Sequence, residues 1–140
     1  MKKLLLIVLL FCSIMGFSQS IIPKKAYKII IINTLSAEEN FILVGNTLAS
    51  NDFTIESKDK EFGMIKTAVK LSGVWYTSHF YIFIIKQGEI NITGQWSPAN
   101  SIGESSSFLI TNKAEVPKKL FNKMNNFALQ LNPKLKYIVE

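Results

Sequence analysis

Two rhythms of apolar residues run along the chain. Tyr27–Ile32 is a short apolar run dominated by isoleucine and reads as a buried strand. Asn33 and Thr34 end it. Ser36-Ala37-Glu38-Glu39 then carries a serine and a glutamate three residues apart, the signature of a capping box, so a helix begins there. Phe41, Val44 and Leu48, joined by Ile42 or Gly45, recur at helical spacing and define its buried side, with Asn51 as a left-handed C-cap.

Beyond Asn51 the period shortens to two. Phe53–Ser57 alternates apolar and polar, Lys58–Gly63 is a charged turn, and Met64–Leu71 alternates again. In that second run Ile65, Thr67, Val69 and Leu71 are expected on one side, with Lys66, Ala68 and Lys70 on the other. Ser72-Gly73 turns the chain into Val74–Lys86, the longest strand candidate. Its second half is apolar on both faces: Phe80, Ile82 and Ile84 on one, Tyr81, Phe83 and Ile85 on the other. Gln87-Gly88 returns the chain into Glu89–Trp96, where Ile90, Ile92 and Trp96 share a face. Ser97–Ser107 has loop composition, and Phe108–Thr111 is long enough for a short strand. Pro117 suits the first turn of a second helix, in which Leu120, Met124, Phe127 and Leu131 form a core-facing stripe. Asn132-Pro133 stops it, and Leu135, Tyr137 and Val139 alternate as an edge strand or ordered tail. The order predicts an α+β fold. It is a two-layer sandwich with an antiparallel sheet of about four to six strands and two helices mainly on one face.

The first residues follow a different pattern. Lys2 and Lys3 precede an unbroken apolar stretch from Leu4 to Phe11, and Gly16 and Ser18 supply small residues three and one before a cut. We therefore expect a signal peptide over residues 1–18, one domain over 19–140, and a periplasmic or secreted product. The apolar stretch is shorter than the roughly twenty residues that span a bilayer. Any membrane contact is thus expected only through an uncleaved leader. Phe11 before Cys12 departs from a lipid-attachment pattern. Loss of the leader also removes the chain's one cysteine, so disulfides play no part.

Charge narrows the partners. The full chain of 140 residues carries a formal charge of +6, and all 16 basic residues are lysine. Lysine is a hydrated point charge without the planar fork by which arginine reads phosphates and guanine edges. Loose attraction to acidic surfaces is expected, and nucleic acid is not.

The segment Glu38–Thr67 has a familiar cadence of turns and hydrophobicity: a helix, Asn-Asp-Phe-Thr-Ile-Glu, a charged turn, Phe-Gly-Met-Ile-Lys-Thr, then a long strand. It resembles small exported bacterial proteins of an uncharacterised family with a TATA-binding-protein-like fold. It is also similar to the helix-grip domains of an outer-membrane assembly lipoprotein. The resemblance implies architecture; it implies neither DNA binding nor any catalytic residue.

Little in the chain carries chemistry. His79 is the only histidine, and a general-base reading pairs it with Glu89 or Glu56; the plainer reading is a half-buried strand residue. Asp52, Glu56, Asp59 and Glu61, interleaved with Lys58 and Lys60, lack calcium-loop spacing and read as a solvated turn. No cofactor or metal is expected, and no enzyme activity. Two surfaces remain. Trp75, Tyr81, Phe83 and Ile85 are expected to share the sheet face away from the helices, as a surface for an envelope protein or for a homodimer. A charge at Phe83 is then expected to give a monomer. Lys113, Lys118, Lys119 and Lys123 form a basic helix face suited to anionic headgroups or acidic glycans. These features point to a non-enzymatic interaction module. The alternative is a carrier that encloses a small apolar ligand between the sheet and the second helix.

Overall fold

The computed structural model describes residues 21–98 and 107–140, and the expected leader lies outside them. Eight strands and two helices follow one another: β1 (Ala26–Ile32), α1 (Ala37–Ser50), β2 (Ile55–Asp59), β3 (Met64–Thr67), β4 (Lys70–Leu71), β5 (Thr77–Lys86), β6 (Glu89–Pro98), β7 (Phe108–Leu109), α2 (Glu115–Leu131) and β8 (Leu135–Val139). The expected α+β class holds. The sheet has eight strands rather than four to six, because two-residue β4 and β7 pair alongside β5 and β6. The remaining order is β2-β3-β5-β6-β1-β8, every pair antiparallel.

One face of this sheet is the core. Ile29 and Ile31 of β1, Ile65 of β3, Tyr81, Phe83 and Ile85 of β5, and Ile90 and Ile92 of β6 are all buried. They pack with Val44 and Leu48 of α1 and with Leu120, Phe121, Met124 and Phe127 of α2. The α2 stripe lies where its spacing places it. In α1 the inward residue is Asn40 rather than Phe41, which is half-buried, and Ile42 is exposed. Asn40 is tolerated because it is hydrogen-bonded: its amide donates to the Lys86 carbonyl (2.9 Å) and it accepts from Asn33 (2.6 Å).

The α1 start is as expected, with both capping-box hydrogen bonds present between Ser36 and Glu39. Its end is not. Asn51 has φ −108°, and the left-handed residue is Asp52 at φ 56°. Gly94 also departs from a turn role. It lies mid-strand in β6 facing the core, where a Cβ would sit 2.7 Å from Ile110 Cδ1 and 3.3 Å from Met124 Sδ.

A bulge lies between β3 and β4. Lys66 pairs with Ile82 and Lys70 with His79, so four residues advance against three. One extra residue reverses the faces beyond it. Val69 and Leu71, expected on the same side as Ile65 and Thr67, are exposed while those two are buried, and Lys70 turns inward opposite His79. The Thr67 hydroxyl accepts from the Tyr81 N–H (2.9 Å) at the irregularity.

Candidate functional site

The bulge and the turn after it shape the most distinctive corner of the molecule. β5 begins at Thr77, because Val74, Trp75 and Tyr76 belong to the turn. Thr77 N–H donates to the Val74 carbonyl (3.0 Å), closing a four-residue turn whose central pair, Trp75 and Tyr76, have φ 47° and 50°. Two positive φ values are the mark of the I′ hairpin turn, whose preferred residues are Asn-Gly. Two large aromatics there work against local backbone preference. Neither is buried in return: Trp75 is 68% exposed and Tyr76 88%. The turn is held from below by Ser72, whose hydroxyl pairs with that of Thr77 and accepts from the Val74 N–H (2.9 Å).

Here two separately expected groups meet. Lys119 Nζ lies 5.7 Å from the centre of the Trp75 ring, and Lys123 Nζ donates to the Ser72 carbonyl. Both lysines stand on α2 one turn apart and face the hairpin. Lys113 and Lys118 are exposed, and Lys113 precedes the helix.

The other expected partner residues are corrected by their burial. Tyr81, Phe83 and Ile85 point toward the helices and are at most 4% exposed, so they belong to the core and cannot present a surface. Trp75, in the turn, does not share their face. Alternation alone cannot say which apolar side of a doubly apolar strand meets the helices. The outward residues are Phe80, Ile82 and Ile84, and Lys66 Nζ covers the Phe80 ring at 4.9 Å. A charge at Phe83 would therefore unfold the domain rather than separate two copies.

Beneath the hairpin, between β4, β5, the end of α1 and α2, lies a cavity of about 330 Å³. His79 sits at its back, 4% exposed, with Nδ1 buried and lacking a hydrogen-bond partner. Phe53, Tyr81 and Phe127 surround the imidazole side: Phe53 lies 6.1 Å from the His79 ring and Tyr81 5.2 Å. Lys70 and Lys123 also line the cavity, and no acidic side chain does. Lys70 Nζ donates to the carbonyls of Asn51 (3.0 Å) and Asp52 (3.1 Å) and lies 4.5 Å from the Phe53 ring centre. Burial, then the charges of Lys123 and Lys70, push His79 down to about 4, against a smaller opposing contact with the Lys70 backbone. Burial pushes the Tyr81 phenol up. Neither Glu89 nor Glu56 is placed to pair with His79: Glu56 binds Lys66 (3.0 Å), and Glu89 pairs with Lys86 at the far end of β5.

A second hollow of about 230 Å³ at the start of α1 has only Glu38 and Lys60 as charged lining, both exposed. Among the described residues no group of three or more His, Cys, Asp or Glu is arranged to hold a metal ion, and no helix is long and apolar enough to cross a membrane. Asp59 serves its own turn, its Oδ1 accepting from the Phe62 N–H (3.0 Å). No family model matches the sequence, and no curated protein matches it.

Proposed function

We propose that this protein is a non-enzymatic interaction module of the cell envelope, exported by its leader to the periplasm or beyond, and that it holds a protein partner through the β4–β5 hairpin tip. The observation that carries this reading is the pair of exposed aromatics, Trp75 and Tyr76, both in left-handed backbone. Such a conformation costs on the order of 1–2 kcal/mol per bulky residue, and burial does not offset it. A rigid aromatic presented on a tight turn is well suited to fill a partner's pocket, since little side-chain freedom is lost on binding. The lysine excess of the chain, +6 in full and +4 without Lys2 and Lys3, favours a partner with an acidic rim.

The carrier of an apolar ligand is the weaker reading. Most of the space between sheet and α2 is filled by Tyr81, Phe83, Phe121, Met124 and Phe127, so open volume on that side is confined to the cavity beneath the hairpin, whose lining includes two lysines. The likeness to helix-grip proteins remains part of the proposal, supported by two helices on one face of an antiparallel sheet.

The test is the double variant Trp75→Asn/Tyr76→Gly, which gives the turn its preferred residues. The variant is expected to be more stable than the wild type by about 1–2 kcal/mol in urea melts. A photo-crosslinker at position 75 in producing cells should give a discrete adduct that one at exposed Lys58 does not, and the adduct should weaken with salt. An unchanged melt together with no adduct at position 75 would refute the reading.

A further inference from the structure

We infer that the cavity behind the hairpin is a binding site for a small aromatic carboxylate, its carboxylate held between Lys70 and Lys123 and its ring against Phe53. This does not depend on the hairpin tip holding a partner. Three features of the cavity carry it.

The first is uncompensated charge. Two ammonium groups line one small cavity with no lining carboxylate, and neither takes part in the ion pairs among the described residues. Their hydrogen bonds go to neutral carbonyls of Ser72, Asn51 and Asp52, which orient them without cancelling the charge. An anion entering the cavity supplies what the fold leaves out.

The second feature is the buried His79 Nδ1 with no partner. An unsatisfied buried nitrogen costs on folding, and the His79 side chain that carries it lines the cavity. The bulge contributes directly here, because the extra residue before β4 is what sets Lys70, rather than Val69, opposite His79.

The third is an apolar wall. Half-buried Phe53 lines the cavity with Lys70 Nζ 4.5 Å from its ring centre, so the anion site has aromatic surface beside it. A bare inorganic anion would leave that surface wet. A ring bearing one carboxylate uses both halves, and the volume of about 330 Å³ accommodates it. Asn126 and Gln130 line the mouth from α2 and are exposed.

His79, being the chain's one histidine, reports on its own site. Benzoate is titrated into the untagged protein at neutral pH while the single set of imidazole signals is followed by NMR. Saturable shifts are expected, with half-saturation on the order of 1 mM or tighter. A bound carboxylate beside the ring must also raise the His79 pKa from its value of about 4. Benzamide, which has the ring without the charge, and inorganic phosphate, which has charge without the ring, should each bind roughly tenfold more weakly or worse. Lys70→Gln and Lys123→Gln should each weaken benzoate by a similar factor. Because Lys123 also steadies the hairpin, Asn126→Trp serves as a second variant: at an exposed helix position, it should block the mouth and abolish binding while the fold persists. Imidazole signals that do not move with benzoate up to about 50 mM would overturn the proposal. So would benzamide or phosphate binding as tightly as benzoate, or Asn126→Trp binding unchanged.

Discussion

Thr67 does with its side chain what a backbone carbonyl does elsewhere in the sheet, accepting the Tyr81 N–H where the ladder is broken. Thr67→Val keeps the shape and removes that acceptor. It should destabilise the domain by about 1–3 kcal/mol in urea melts, the cost of an orphaned buried donor. Gly63 is constrained differently. Its φ is 61°, and a Cβ there would come within 2.3 Å of the Ile85 carbonyl oxygen, a backbone atom that cannot step aside. Gly63→Ala is expected to cost about 2 kcal/mol or more by the same measurement, whereas Gly73→Ala, with open space around it, should cost less. Gly63 was legible from sequence as a turn residue. Thr67 was not, because nothing in an alternating run marks which hydroxyl will replace a carbonyl.

At the scale of elements, local signals read most clearly where the chemistry is local. The Ser36–Glu39 box marks the start of α1, and the exposed Glu39 carboxyl is held below its ordinary range by the Ser36 backbone and side chain. Ser36→Ala should lower the melting temperature by a few degrees. The α2 stripe was equally readable, since Leu120, Met124, Phe127 and Leu131 admit one buried side. β5 was readable as a strand but not in its orientation, because both of its sides carry apolar residues. The bulge was invisible, and with it the inward turn of Lys70. Consequently the candidate site emerged from sequence only in fragments. Trp75, Lys119, Lys123 and His79 each drew notice, but the register that gathers them around one hairpin depends on a single inserted residue.

For the molecule as a whole, the cavity makes stability depend on pH. His79 stays neutral in the fold down to about pH 4, while in the unfolded chain it takes a proton near its ordinary 6.5. Between those values the unfolded state binds the extra proton, so the contribution is complete above about pH 6.5 and declines as pH falls toward 4. After allowance for solvent screening at a site open on one side, the loss is about 1–3 kcal/mol. Tyr81 and Phe53 face the imidazole without adding charge, and Lys70 and Lys123 line the same cavity. Urea melts at neutral pH and near pH 4.5 should show the decline in the wild type, and His79→Gln should flatten it; parallel decline in both would reject this origin.

The order of strands also governs how the chain can assemble as it emerges. β1 pairs on one side with β6 and on the other with β8, so its partners, Glu89–Pro98 and Leu135–Val139, are made much later than it is. A chain delivered from its N-terminus keeps Ile29 to Ile32 without a neighbour until β6 has appeared, and with one edge open until β8 follows. That favours slow, late closure dominated by distant contacts. Until then the segment is an isoleucine-rich edge to which another unfinished copy can add.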